Sequence, residues 1–164
     1  MRKNVFILCC LGMVILLNHS AFSQKITIEK SYPEAFLRAY DNYVNKNYAA
    51  SFEQFSALVE QTPQDREELL QDIMFYRASS AYEMMNKDAD ALLCEFISLC
   101  PQSAHCNEAY FLLANFYARG ERYDQAIEVY SKMNVAIPNQ DDKFEYYYKR
   151  GHCLFTLNRY DEAL

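Results

Sequence analysis

The side chains able to do chemistry are few and scattered. After the first 23 residues the histidines are His105 and His152, the cysteines are Cys94, Cys100, Cys106 and Cys153, and the glycines are Gly120 and Gly151. An imidazole acts as a base or a metal ligand only beside a nucleophile or further ligands. Neither histidine stands in such a motif, so both are read as structural or surface groups. Two glycines build neither a phosphate-cradling loop nor the G-x-S-x-G turn that presents a nucleophilic serine. The carboxylate pairs Glu67-Glu68 and Asp141-Asp142 read as solvated faces and turns rather than acid/base machinery. No enzyme class is signalled, and no catalytic residue, metal ligand or small-molecule cofactor is expected.

The cysteines leave two readings open. Cys100 and Cys106 bracket Pro101-Gln102-Ser103-Ala104-His105, so in an oxidising compartment a disulfide could close that turn. Alternatively they are small core residues, as cysteine often is. No C-x2-C spacing occurs, which argues against zinc.

The compartment is read from the N terminus. Met1-Arg2-Lys3 leads into an apolar run from Val5 to Leu17, too short to span a bilayer comfortably. Ala21-Phe22-Ser23 then places small residues where a signal peptidase cuts. Residues 1–23 are expected to be a signal peptide, taking Cys9 and Cys10 with them, and residues 24–31 a short linker. An uncleaved membrane anchor is the competing reading. The expected location is periplasmic or secreted. The whole chain has 22 acidic against 16 basic residues, and without Arg2 and Lys3 its net charge falls to about −8. Such a charge opposes attraction to nucleic-acid phosphates, so no nucleic acid partner is expected.

Scarce glycine and proline mean long elements with few turns, and the apolar spacing is helical. Tyr110, Leu113, Ala114 and Tyr117 fall at i, i+3, i+4 and i+7, and Ala126, Tyr130 and Met133 repeat the pattern after a break at Gly120 to Tyr123. Two such helices make an antiparallel hairpin. Pro63, Pro101 and Pro138 each follow a helical stretch at intervals of 38 and 37 residues, while Phe75, Tyr110 and Tyr147 open helices 35 and 37 residues apart. A period of this length marks a stacked solenoid.

The segment Tyr110-x2-Leu113-Ala114-x2-Tyr117, then Ala126-x3-Tyr130, then Pro138 resembles the tetratricopeptide-repeat (TPR) family, whose pattern is W-x2-L-G-x2-Y, A-x3-F and P. Phe75-x2-Ala78-Ser79-x2-Tyr82 and Tyr147-x2-Arg150-Gly151-x2-Leu154 resemble it more loosely, as does Ser51-x3-Phe55 before Pro63. The first helix, around Phe36, Ala39, Tyr40 and Tyr43, reads in two registers. Phe96 to Ser103 is similar to repeats of bacterial envelope members, of the Tol-Pal accessory and barrel-assembly lipoprotein types. The resemblance implies an all-α, α-α superhelix over 32–164, with about four hairpins at 32–63, 66–101, 106–138 and 144–164, the last incomplete.

In this family the first helix of each hairpin lines a concave groove. The resemblance therefore puts Tyr76, Phe111 and Tyr148 on a ligand-facing stripe, with Asn115, Arg119, His152 and Phe155 beside them. Polar groups among apolar rings suit a peptide, so the expected partner is a protein or peptide and the expected role an envelope scaffold. A glycan-binding or nutrient-uptake component, or a regulatory segment of a longer protein with a downstream enzyme or sensor domain, are the alternatives. An uncovered apolar face on the last hairpin, with Tyr147, Leu154 and Cys153, would favour self-association through the C-terminal end.

Overall fold

Helical backbone hydrogen bonding runs through the residues that the computed structural model describes, 32–133 and 140–163. The expected signal peptide at 1–23, the linker at 24–31 and the stop at Pro138 lie outside the described residues. Eight helices follow in order among the described residues: α1 (Glu34–Val44), α2 (Tyr48–Gln61), α3 (Glu67–Glu83), α4 (Ala89–Leu99), α5 (Cys106–Arg119), α6 (Tyr123–Ser131), α7 (Gln140–Thr156) and α8 (Tyr160–Ala163). None is long and apolar enough to cross a membrane. The chain divides into two compact units, Met1–Leu37 and Arg38–Leu164. In the first, Tyr32 stacks on Phe36 with ring centroids 4.4 Å apart at the start of α1. The second holds the rest of α1 and helices α2 to α8.

What these helices bury defines them more than how they start. The residues before α2 to α6, namely Asn47, Arg66, Asp88, His105 and Arg122, make no side-chain cap hydrogen bond. Short helices of this kind depend on tertiary packing of an apolar face. In α5 that face is Ala109, Leu113 and Ala114, with Tyr110 and Tyr117 half-buried at its edges. Facing it, α6 buries Ala126, Ile127, Val129 and Tyr130. Full burial of an aromatic or aliphatic side chain contributes about 1.5–3 kcal/mol, and Phe55, Phe75, Leu93, Phe96, Tyr130 and Leu154 are all below 2 % exposed.

One turn recurs four times. Lys46, Met85, Glu121 and Asn158 take positive φ angles of 61°, 55°, 58° and 59°. In each case the left-handed residue's N–H donates three residues back and the next residue's N–H five residues back. Asn47 thus donates to the Asn42 carbonyl, Asn86 to Ala81, Arg122 to Tyr117 and Arg159 to Leu154, at 2.8–2.9 Å. This is the Schellman ending, which satisfies the last helical carbonyls and reverses the chain. It closes the pairs α1–α2, α3–α4, α5–α6 and α7–α8. Successive pairs then pack, α2 on α3, α4 on α5 and α6 on α7, while the first helices touch one another, α3 with α5 and α5 with α7.

Counted back from the left-handed residue, Ala39, Ala78, Ala114 and Gly151 stand at the same place, seven residues earlier. The three alanines are fully buried, as close helix approach requires. The second hairpin is therefore registered one residue away from the sequence expectation, which put Ser79 level with Ala114. Ser79 instead shares a 2.8 Å hydrogen bond with the Tyr43 hydroxyl, and Ser80 donates to Ser51 at 3.0 Å inside the core.

The last hairpin brings three further corrections. It begins at Gln140 rather than 144. Tyr147, matched to the family's leading aromatic position, is 49 % exposed, and Tyr146 is the buried ring at 4 %. The reason is the face that α7 turns to α6: Tyr146 stacks edge-on to Tyr130 at 5.6 Å and donates its hydroxyl to the Tyr130 carbonyl at 3.2 Å. Finally, Leu154 and Cys153, expected to lie partly open, are fully buried where α6 and α8 pack on α7.

Candidate functional site

The contact between α5 and α7 leaves a groove of about 270 Å³. Asn115, Ala118 and Arg119 come from α5, Tyr123 from the start of α6, and Tyr148, Lys149, His152 and Cys153 from α7. Four of the seven residues expected on the ligand-facing stripe, Asn115, Arg119, Tyr148 and His152, thus meet in one place. Positions 115 and 119 lie one helical turn apart, as do 148 and 152, so each helix presents two of them on one side.

Each polar group in the groove has a distinct setting. Asn115 is only 4 % exposed, and its Oδ1 accepts a 2.6 Å hydrogen bond from the Tyr130 hydroxyl. Burial pushes the Tyr130 phenol above its ordinary pKa, which keeps it a donor. Asn115 forms the groove floor rather than an extended polar contact. Arg119 is exposed, and its guanidinium carbon lies over the Tyr82 ring, 4.5 Å from the centroid. Lys149 has its ammonium 5.0 Å from the Phe111 ring and 2.6 Å from the Glu145 carboxylate. His152 stands edge-on to Tyr123 at 6.4 Å.

The other three expected residues lie elsewhere. Phe111 is half-buried beneath Lys149, adjoining the groove without lining it. Phe155 is 64 % exposed on α7 and meets Tyr160 edge-on at 5.3 Å. Tyr76 belongs to a separate aromatic cluster, within 5.0–5.6 Å of Tyr40, Tyr43, Phe55, Phe75 and His105. In the register set by the turns, the residues level with Phe111 and Tyr148 are not Tyr76 but its neighbour Phe75, which is fully buried.

Sequence reasoning missed Lys149, Tyr123, Ala118 and Cys153. The helical repeat carried part of the signal, since Lys149 and Cys153 are four apart and each directly follows Tyr148 or His152. Nothing local placed Tyr123 there.

His105 occupies a structural slot instead of a groove. It precedes α5, stacks on Phe75 with centroids 4.2 Å apart and planes 6° from parallel, and directs Nε2 at Asp72 Oδ1, 3.2 Å away on α3. Glu108 lies 3.8 Å from Nδ1. Burial acts against the imidazolium, but the Asp72 and Glu108 carboxylates outweigh it and raise the pKa to about 9.

Cys94, Cys100, Cys106 and Cys153 are all free thiols. Cys100 is buried in the core at the end of α4, and Cys106 is half-buried at the start of α5. The turn between them is held by the backbone, Ser103 N–H to the Cys100 carbonyl and Cys106 N–H to the Ser103 carbonyl, both at 3.0 Å. Among the described residues no group of three or more His, Cys, Asp or Glu side chains is gathered to hold a metal ion.

Aromatic rings, cations and one buried amide thus converge in an open groove. No family model matches the chain, and no curated protein matches it either.

Proposed function

We propose that this chain is an exported tetratricopeptide-type scaffold of a bacterial envelope, and that the groove between α5 and α7 holds a segment of another protein. Recurrence supports the repeat reading: four identical reversals, each with a small residue seven places before its left-handed position. The observation that carries the binding reading is the meeting of Arg119, Tyr148 and His152 around one groove. Rings with polar edges beside a guanidinium suit a peptide, whose backbone and side chains alternate polar and apolar contacts. The site acts by shape and charge, with no chemical step.

The test is fluorescence anisotropy with labelled peptide pools and a parallel panel of labelled oligosaccharides. Peptide binding at micromolar concentration, weakened at least tenfold by Tyr148→Ala together with His152→Ala at unchanged helicity, is the expected outcome. Binding of oligosaccharides alone would replace the protein-scaffold reading by a glycan-binding one. Export is checked separately by mass spectrometry, which should find Gln24 as the first residue. An intact Met1 in the membrane fraction would restore the anchor.

A further inference from the structure

We infer that the groove selects an acidic peptide segment, with an internal Asp or Glu side chain on Arg119 and apolar side chains to either side along α7. The inference rests on the peptide-binding reading above and adds the chemistry of the ligand.

Charge is the first argument. The chain is acidic, with 22 carboxylate against 16 basic residues, yet the groove lining includes Arg119, Lys149 and His152 and no carboxylate. Lys149 is engaged by Glu145. Arg119 has no carboxylate at ion-pair distance among the described residues, whereas Arg77, Arg122 and Arg159 pair with Glu95, Asp90 and Glu162. Its guanidinium is already laid on the Tyr82 ring. A guanidinium seated over a ring is partly immobilised, so it can take a carboxylate through its N–H groups at reduced entropic cost.

The second argument is the surface that continues past this cation. Phe144, Tyr148 and Phe155 are 73 %, 65 % and 64 % exposed, and their spacing of four and seven puts them on one face of α7. Phe144 and Tyr148 stack at 6.4 Å. From Phe144 to Phe155 the helix rises about 16 Å, the length of roughly five extended residues. Apolar rings thus extend both before and after the Tyr148 level, where the groove and its cation lie. A ligand that uses both stretches must carry its acid in the interior of the segment, not at its end.

The experiment uses the whole exported chain and three fluorescein-labelled peptides. These are a C-terminally amidated octapeptide of alternating Phe and Glu, its Phe and Gln counterpart, also amidated, and that counterpart with a free C-terminal carboxylate. Anisotropy titrations at low and moderate NaCl should show the Glu peptide binding at least tenfold tighter than either Gln peptide, with the margin shrinking as salt rises. Arg119→Gln should abolish the margin between the Glu and Gln peptides, and Arg119→Lys, which keeps charge but not the fork, should retain part of it. Circular dichroism confirms that both variants fold. Equal binding of all three peptides would overturn the acidic selection and leave the peptide-binding function standing. A preference that survives in Arg119→Gln, or one shown only by the free carboxylate, would also overturn it. Failure of every peptide to bind would remove both readings.

Discussion

His105 carries a positive charge in a half-buried slot, held there by Asp72 from α3 and Glu108 from the first turn of α5. Its pKa of about 9 lies above the ordinary 6.5, so protonation favours the folded state. The stabilisation is complete below about pH 6.5 and is lost as pH rises through 9. A thermal or urea series should therefore show stability declining by on the order of 2–3 kcal/mol across that window. His105→Gln should flatten the decline, and an unchanged pH profile in that variant would refute the coupling. The sequence assigned His105 a structural or surface role, yet its partner Asp72 lies 33 residues away and only the packing of α3 beside α5 joins them. The hydrogen bonds from the Tyr146 hydroxyl to the Tyr130 carbonyl and from the Tyr130 hydroxyl to Asn115 Oδ1 were hidden for the same reason.

The helical hairpin is the element that repeats, and its tightest point is the small residue seven places before each left-handed turn. At Ala114, fully buried between α5 and its neighbours, Ala114→Trp should overpack the contact and cost about 1–3 kcal/mol or more. Gly151 holds the equivalent position in α7, where an added Cβ would meet nothing within 4 Å. Gly151→Ala should thus stabilise that helix by up to about 1 kcal/mol, as alanine already does in the other three hairpins. Melting curves of the two variants should shift in opposite directions, and equal shifts would mean that the register is wrong. Helix type and hairpin pairing were legible because the aromatic and alanine spacing is strongly periodic. The register of the second hairpin was not, since Ala78 and Ser79 are both small and both buried. The decisive marker, a positive φ at Met85, sits on a residue type that gives no sign of it in sequence. Tyr147 misled for a related reason: three successive tyrosines, Tyr146 to Tyr148, fill three directions around α7, and burial against α6 alone selects the first.

At the scale of the molecule, the helices of the second unit stack pair on pair, and the groove lies where α5 meets α7. Half of that groove was readable, because helix periodicity predicts which residues share a face. Which faces meet depends on the stacking of pairs, and this brought in Lys149 and Tyr123 while leaving Tyr76 in another cluster. The exposed rings Phe144, Tyr148 and Phe155 serve the proposed ligand here; self-association through the same face would compete with it, and the concentration dependence of sedimentation separates the two. The central claim is that this groove is where a protein segment binds. The most direct measurement is a backbone amide NMR titration of the chain with the amidated Phe and Glu octapeptide. The account predicts saturable shifts at Ala118, Arg119, Tyr123, Tyr148 and His152, with the Tyr76 cluster unmoved. Shifts centred on Tyr40, Tyr43 and Tyr76, with the groove silent, would contradict it.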